Sequence, residues 1–270
     1  MGSSLDGKVA FITGAAQGQG RSHAVRLAQE GADIVALDIC EQIPTMRHQM
    51  GTAEDLAETV RLVKAGGRRI VSGKADIRDY EAVCGIVEQG LSTFGHIDIV
   101  CANAGITGQY GPIGGWEIPA ERWRDVVDVD LTGAWHTLKA VVPSMIERDT
   151  GGAIVITSSS AGLKGFRHLA DYSAAKHGLV GLMRTFAQEL APHRIRVNTV
   201  HPTGVKTKMI VTTALADADE SQKMQWDPNL LPVDAIEVED VTNAVLFLVA
   251  DTGRYITGAT IPVDAGFSAR

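Results

Sequence analysis

A tyrosine and a lysine stand four residues apart in the segment YSAAK, at Tyr172 and Lys176. In a helix, residues at this spacing project from the same face, so the two side chains can interact. A free phenol has a pKa of about 10 and is a poor base near neutral pH, but a neighbouring ammonium group favours its phenolate form. Tyr172 is therefore a candidate general acid or base. The alternative is an ordinary helix pair with no chemical role.

Three consecutive serines, Ser158, Ser159 and Ser160, follow an apolar segment that ends at Thr157. In an open α/β sheet, ligands bind in the crevice at the carboxyl ends of the strands. A serine hydroxyl at this place could hold a substrate oxygen near Tyr172. These residues by themselves do not choose among the three serines.

Three glycines, Gly14, Gly18 and Gly20, lie between an apolar strand and a helical pattern. Glycines there let backbone N–H groups approach a pyrophosphate at a helix N-terminus. Asp38 ends the next strand, where its carboxylate would bind the adenosine ribose hydroxyls and repel a 2′-phosphate; a solvated strand-end aspartate is the alternative. The combination predicts a dinucleotide site that prefers NAD to NADP. Tyr172 would then take up a proton while a hydride moves to NAD.

The elements that must position these groups alternate along the chain. Apolar, β-branched segments predict strands over Val9–Thr13, Asp33–Asp38, Arg69–Gly73, Ile97–Ala102, Ala153–Thr157, Arg196–His201 and Thr260–Val263. Helical patterns lie between them, over Arg21–Glu30, Thr52–Lys64, Tyr80–Phe94, Arg122–Glu147, Ser173–Leu190 and Val241–Ala250. Apolar strands that alternate with helices indicate a parallel sheet covered on both faces. We predict an α/β fold with a single doubly wound, Rossmann-like domain over residues 1–270.

Composition excludes several other classes of protein. The net charge of −7 gives little support to a nucleic-acid surface. Cys40, Cys84 and Cys101 form no CxxC pair, so we expect neither a disulfide framework nor a zinc site, and we expect small buried side chains instead. The apolar segments are too short to cross a membrane, and the first residues contain no signal-peptide core. We therefore expect a cytoplasmic protein.

The spacing TGAAQGQG, of the form TGxxxGxG, resembles the short-chain dehydrogenase/reductase family essentially from end to end. The further motifs are ADIRD, CANAG, YSAAK, VNTVHPTGVKT and YITGATIPVDAG, in this order. Within the family, GQGRSHAVRLAQEGADIVALDI and the segment after it resemble the carveol-dehydrogenase-like, mycofactocin-associated branch. Members of that branch are thought to hold NAD without exchange and to pass electrons to an external carrier.

The resemblance implies catalytic roles for Ser159, Tyr172 and Lys176, and it selects Ser159 over its serine neighbours. It implies an NAD-binding set, which comprises Gly14, Gln17, Gly18, Gln19, Gly20, Asp38, Ile39, Asp76, Ile77, Asn103, Ala104, Gly105, Tyr172, Lys176, Pro202, Val205 and Thr207. It also implies a homotetramer and a small-molecule substrate, a hydrophobic secondary alcohol of terpenoid, carveol-like type or its ketone.

Asp130 departs from the family pattern. The family usually has an asparagine before the LTG segment, and that residue is thought to support a water chain that leads to the lysine. An ionised aspartate has the same shape but only accepts hydrogen bonds. Asp130 could keep the water in place, or it could pair with Lys176 and raise the pKa of that lysine. We include Asp130 among the catalytic candidates.

Two segments are candidate covers over the ligands. Residues 39–51 separate a strand from a helix, where about 2–6 residues are usual, and they contain Ile43, Met46, Met50 and the stiffening Pro44. We expect this insert to fold over the adenosine end of the nucleotide; a plain surface insertion is the alternative. In the family, residues 205–231 form a substrate lid, and a surface that packs on a neighbouring subunit is the alternative.

Three further residues near these motifs could bear on the site. His201 has no second ligand at metal spacing, so we expect a structural histidine and no metal site. His168 and Asp171 precede Tyr172 and are candidates for the substrate side.

Two other hypotheses compete with an NAD-dependent dehydrogenase. One is an NADPH-dependent oxoacyl reductase, which Asp38 opposes. The other is a nucleotide-bound sensor or scaffold without turnover.

Overall fold

The computed structural model describes residues 4–108, 113–209 and 229–269. Seven strands in these residues form one parallel sheet in the order β3-β2-β1-β4-β5-β6-β7. The strands are β1 Val9–Thr13, β2 Asp33–Asp38, β3 Ile70–Lys74, β4 Ile99–Ala102, β5 Gly152–Thr157, β6 Ile195–Pro202 and β7 Thr260–Val263. The predicted doubly wound, Rossmann-like α/β fold is confirmed. The order reverses beside β1, which is where such sheets bind their ligands.

Seven α-helices in the described residues cover the two faces of the sheet. They are α1 Gly18–Gln29, α2 Ala53–Ala65, α3 Tyr80–Phe94, α4 Ala120–Val127, α5 Ala134–Arg148, α6 Ala170–Leu190 and α7 Val238–Val249. Successive residues of β1 point to opposite faces. Phe11 packs in the core beside α3, α5 and α6, and Ile12 packs in the core beside α1, α2 and α7. None of the helices in the described residues is long and apolar enough to span a membrane.

Local sequence signals set several helix ends. Thr52 and Asp55 form a reciprocal capping box at the start of α2, and Gly66 ends that helix. The other ends shift by a few residues from their predicted places. The largest shifts are at the starts of α1, α6 and α7, because the sequence just before each hydrophobic pattern already forms the first helical turn.

The helix predicted over Arg122–Glu147 is present, but it is not uniform. A π-helical segment, Asp128–Gly133, separates α4 from α5. A π-turn inserts one residue into a helix and occurs often at functional sites. The segment turns Asp130 inward, where it is almost fully buried. Hydrophobic periodicity could not reveal this interruption, because the apolar residues on both sides still face the same core.

The cysteine prediction is correct for one residue out of three. Cys101 on β4 is buried, whereas Cys40 and Cys84 are half-exposed. All three are free thiols, as the absence of a paired motif predicted. Cys40 also has a φ of 46°, a left-handed conformation that bends the chain immediately after β2.

Candidate active site

A cleft of about 850 Å³ opens at the carboxyl ends of the strands near β1. Twelve of the predicted NAD-binding residues line it: Gly14, Gln17, Gly18, Gln19, Asp38, Ile39, Asp76, Ile77, Asn103, Ala104, Gly105 and Thr207. Gly20, Tyr172, Lys176, Pro202 and Val205 are not among the described residues that line this cleft. The fold thus gathers these twelve residues from five separate segments of the chain at one place. Contact of each residue with nucleotide stays a prediction.

The glycine turn is packed too tightly to admit side chains at two of its positions. Gly14 has a φ of 68°, and a Cβ atom on it would lie 2.9 Å from the Cα atom of Ala104. A Cβ atom on Gly20 would lie only 2.0 Å from the carbonyl oxygen of Gly14. Any side chain at these positions would therefore force the turn apart. The turn leads directly into α1, so the positive end of the helix dipole faces the cleft.

Asp38 lies at the end of β2 and is almost fully buried, with 6% of its surface exposed. Its Oδ2 atom accepts a hydrogen bond from the backbone N–H of Ala16 at 2.9 Å, and its Oδ1 atom accepts one from Cys40 at 3.0 Å. Burial raises the pKa of the carboxyl group, and these backbone hydrogen bonds oppose the rise. The solvated strand-end alternative does not fit this environment. Asp38 is held by these hydrogen bonds in the wall of the cleft, at the end of the second strand as the sequence predicted.

The insert, residues 39–51, is not a plain surface loop. Ile43 and Met46 are buried and join the core beside α3 and α5, and Met50 packs against the same core. The side-chain amide of Gln42 donates to the backbone carbonyl of Met46 at 2.9 Å and accepts from the backbone N–H of Met50 at 3.2 Å. Its Nε2 atom also lies within hydrogen-bond distance of the carbonyl of His48, at 3.2 Å. These contacts give the insert a fixed internal shape.

Two hydrogen bonds fasten the insert to two separate parts of the fold, α4 and the glycine turn. On one side, the hydroxyl of Thr45 donates to the carboxylate of Asp125 on α4. On the other side, the side-chain amide of Gln17 in the glycine turn donates to the carbonyl of Gln49 at 3.1 Å. The insert also contributes Ile43, His48, Met50 and Gly51 to the cleft wall. It therefore forms part of the cleft wall, and its role as a cover over a bound nucleotide stays a prediction.

The three expected catalytic residues lie together beside this cleft. The Nζ atom of Lys176 lies 5.4 Å from the centre of the Tyr172 ring and donates to the carbonyl of Thr157 at 3.2 Å. The Ser159 hydroxyl is near enough to the Tyr172 phenol to lower the pKa of the phenol. A Cβ atom on the cleft residue Gly105 would lie 3.1 Å from the Lys176 Nζ atom. Gly105 therefore joins the nucleotide cleft to the catalytic group.

Burial dominates the electrostatics of Tyr172. It raises the pKa of the phenol, the Lys176 ammonium lowers it, and the Asp130 carboxylate raises it again. The net direction is upward, whereas the lysine argument from sequence predicted a fall. The prediction named the right partner but could not weigh burial against it. The positive charge of an oxidised nicotinamide beside Tyr172 would favour the phenolate further.

The structure separates the three serines by their contacts. The Ser158 hydroxyl donates to the Lys176 carbonyl at 2.9 Å, so it fastens α6 to β5. Ser160 is buried in a short 3₁₀ turn, Ser160–Gly162. Ser159 is only half-buried, and its oxygen also accepts a hydrogen bond from the N–H of Ala161 at 3.1 Å. Among the three, Ser159 alone combines partial exposure with an effect on the pKa of the Tyr172 phenol.

Asp130 pairs directly with the lysine. Its Oδ2 atom lies 3.2 Å from the Lys176 Nζ atom, and its Oδ1 atom accepts a hydrogen bond from the backbone N–H of Ile106 at 2.7 Å. Burial raises the pKa of Asp130, and Lys176 opposes that rise. For Lys176 burial lowers the pKa, but the pull of Asp130 and Tyr172 outweighs it, so the net direction is upward. Of the two alternatives from sequence, the structure displays the ion pair.

Sequence reasoning missed the link between His201 and Ser159. The Nδ1 atom of His201 donates to the carbonyl of Ser159 at 2.7 Å, and its Nε2 atom lies 2.7 Å from the Thr199 hydroxyl. Burial lowers the pKa of His201 to about 4, so the ring is neutral. No His, Cys, Asp or Glu cluster suited to a metal occurs in the described residues. The contacts of His201 are those of a side chain that holds the Ser159 peptide in place.

Asp171 does not face the substrate side but forms a buried ion pair. Its carboxylate lies 2.8 Å from the Nε atom of Arg122 on α4, and both residues are almost wholly inaccessible. Arg122 also donates to the carbonyl of His168 at 3.3 Å, and the His168 ring contacts the carbonyl of Ile113 at 2.6 Å. The sequence contained no periodic signal for this pair. Most of the expected lid, 205–231, lies outside the described residues.

Comparison with known proteins agrees with this architecture. The sequence profile of the family described as Enoyl-(Acyl carrier protein) reductase matches residues 14–268. The (-)-trans-carveol dehydrogenase of Rhodococcus erythropolis is 48% identical over 272 residues, which cover 97% of this chain and 98% of that protein. The chain therefore belongs to the short-chain dehydrogenase/reductase family.

Solved structures narrow the likeness within that family. The crystal structure of carveol dehydrogenase from Mycobacterium avium in complex with NAD is 47% identical, with a TM-score of 0.93 over 99% of this chain and 100% of that chain. The structure of a short-chain dehydrogenase from Mycobacterium paratuberculosis bound to NAD is 42% identical, with a TM-score of 0.92 over 99% and 100%. The chain is similar to carveol-dehydrogenase-like mycobacterial members of the family.

Proposed function

We propose that this protein is an NAD-dependent oxidoreductase that interconverts a hydrophobic secondary alcohol and its ketone. The observation that carries this proposal is the cluster of Ser159, Tyr172 and Lys176 beside a cleft that contains Asp38. Two similar proteins were crystallised with NAD, and a similar protein is named for carveol oxidation. A terpenoid alcohol of carveol type is therefore the first substrate to test.

Each catalytic side chain has a task that follows from its contacts. Ser159 would hold the substrate oxygen next to the Tyr172 phenol, which removes the hydroxyl proton during oxidation. Lys176 stabilises the phenolate and is itself held by Asp130 and by the Thr157 carbonyl. NAD accepts the hydride from the carbinol carbon. In the reverse direction, Tyr172 returns the proton to the ketone oxygen.

The contacts of the insert support a second part of the proposal, namely that NAD is held tightly. Release would require the segment 39–51 to separate from the core and from Asp125 and Gln17, and such opening steps often limit exchange. Electrons would then leave the bound cofactor through an external carrier, as the resemblance to the mycofactocin-associated branch implies. The homotetramer that the resemblance implies stays a prediction, which light scattering of the purified protein would test.

One set of measurements separates the candidate functions. The purified protein should contain NAD and should oxidise carveol-type alcohols with an artificial electron acceptor, but show little turnover with added NAD alone. Tyr172→Phe should lose turnover and keep its nucleotide, whereas a sensor or scaffold would have no turnover to lose. Deletion of residues 41–50 should speed the exchange of labelled NAD. Fast exchange in the intact protein would refute tight binding and leave an ordinary soluble dehydrogenase.

A further inference from the structure

His48 is a buried polar side chain in the middle of a largely apolar insert. Only 3% of its surface is exposed, and it lines the nucleotide cleft. Its Nδ1 atom is buried without a hydrogen-bond partner in the part of the chain that the structure describes. The backbone of Thr107 is the hydrogen-bonding group that acts on the ring. A buried polar atom without a partner costs free energy, so such atoms are rare unless a ligand or water completes them.

A second buried polar atom belongs to the residue whose backbone acts on this imidazole. Thr107 follows Ile106, which lines the cleft, and the Thr107 hydroxyl also has no partner among the described residues. His48 comes from the insert after β2, and Thr107 comes from the loop after β4. Two separate segments of the chain thus contribute incomplete polar atoms, one in the cleft wall and one on the residue after a cleft residue. A ligand in the cleft that offers hydrogen-bonding groups to His48 is the simplest way to complete the first of them, with Thr107 as its neighbour.

Anchoring the insert does not require a polar residue at position 48. Ile43 and Met46 already bury their side chains in the core, and Thr45 and Gln49 already tie the insert to its two neighbours. A leucine or methionine at position 48 could fill the same space and would leave no incomplete nitrogen. The choice of histidine therefore points to a contact that the protein's own groups do not supply.

The charge of the ring limits what it can bind. Burial lowers the pKa of His48, and the Thr107 hydrogen bond only partly opposes this. The ring is therefore neutral near pH 7 and offers one donor and one acceptor. The pyrophosphate already has the glycine turn and the N-terminus of α1. The groups that remain for a neutral imidazole are the hydroxyl and amino groups of the dinucleotide.

We propose that His48 is the side chain through which the insert binds NAD, by a hydrogen bond between Nδ1 and a hydroxyl or amino group of the dinucleotide, with the Thr107 hydroxyl as its neighbour in the same contact. This inference rests on the proposed function, since it takes NAD as the occupant of the cleft. It makes the cofactor itself part of what keeps the insert closed, because opening the insert breaks this bond.

The test compares substitutions at position 48 in the protein as purified, with its nucleotide. His48→Leu removes the hydrogen bond and should raise the exchange rate of labelled NAD about tenfold, which corresponds to the loss of one hydrogen bond at about 1.4 kcal/mol per tenfold. His48→Asn keeps a polar atom near the position of Nδ1 and should stay within about threefold of the wild-type rate. Gln49→Ala is the matched control, because its exposed side chain belongs to the same segment, and it should exchange at the wild-type rate.

Further measurements decide between the remaining outcomes. Thr107→Val, which removes only a hydroxyl, should also speed exchange and serves if His48→Leu does not fold. Wild-type exchange in both His48→Leu and Thr107→Val would mean that NAD does not complete these atoms and would overturn the proposal, whatever the change in thermal stability. Absence of alcohol turnover in the wild type would instead refute the proposed function, because the exchange measurement does not depend on turnover.

Discussion

The buried ion pair between Arg122 and Asp171 offers the sharpest test of how α4 positions the catalytic helix. Its two hydrogen bonds measure 2.8 and 3.3 Å, and both side chains are at most 2% exposed. Asp171→Asn keeps the shape but leaves the guanidinium without its counter-charge. Removing one partner of such a pair costs about 3–5 kcal/mol, because a buried charge stays uncompensated. Asp171 also accepts the backbone N–H of Tyr172 at 2.8 Å, so we expect kcat to fall as well.

The assay is urea unfolding at pH 7 with equal NAD content in every sample, because bound ligand adds to apparent stability. Arg122→Met and the double variant, Arg122→Met with Asp171→Asn, complete a double-mutant cycle. The double variant contains no buried unpaired charge and should lose less stability than the sum of the two single variants. A loss below about 1 kcal/mol in Asp171→Asn would refute the account, because the pair would then be too weakly coupled to brace α6.

Three other predictions concern charge. Asp38→Ala should weaken NAD binding and narrow its advantage over NADP in titrations; equal binding of both by the wild type would show that Asp38 does not select. Asp130→Asn removes the partner that raises the pKa of Lys176, so activity should hold or rise modestly and its pH profile should move to lower pH; a hundredfold loss would give the carboxylate a role of its own. Burial lowers the pKa of His23 to about 3 and that of His201 to about 4. As the pH falls, these two histidines take up protons in the unfolded chain before they do so in the folded protein. The free energy of unfolding should therefore fall by about 2 kcal/mol per histidine between pH 7 and pH 5. An unfolding free energy that stays constant over this pH range in urea melts would contradict this.

The parts of the site that the sequence predicted are those with short-range causes. The glycine turn, Asp38 and the Tyr172–Lys176 spacing each depend on one strand end or one helix turn, and the structure places all of them at the expected edge of the sheet. The order of the family motifs then selected Ser159, which the local sequence alone did not distinguish from Ser158 and Ser160. What distinguishes it physically is that Ser158 is already bonded to the Lys176 carbonyl.

The parts that the sequence did not predict depend on contacts between distant segments. Asp130 meets Lys176 because a π-helical turn rotates it inward, and no hydrophobic pattern marks that turn. Asp171 meets Arg122 across 49 positions of the chain, and His201 meets the Ser159 carbonyl across 42. The balance of burial and charge at Tyr172 also requires coordinates. The sequence identified Lys176 as a group that lowers the pKa of Tyr172, but it could not show that burial outweighs this effect.

The insert connects these observations, because its anchor on α4 is linked through Arg78 to a predicted NAD-binding residue. Arg78 donates to Asp125 at 2.9 Å and to Asp76 at 2.7 Å, and Asp125 also accepts the hydroxyl of Thr45. One arginine therefore joins the anchor of the insert to Asp76 in the cleft wall. Connections of this length without secondary structure are usually functional or disordered, and this one is internally bonded, packed in the core and tied at both ends. A segment built in this way is suited to retaining a nucleotide, and that is why the exchange rate of NAD is the measurement on which the proposed function most depends.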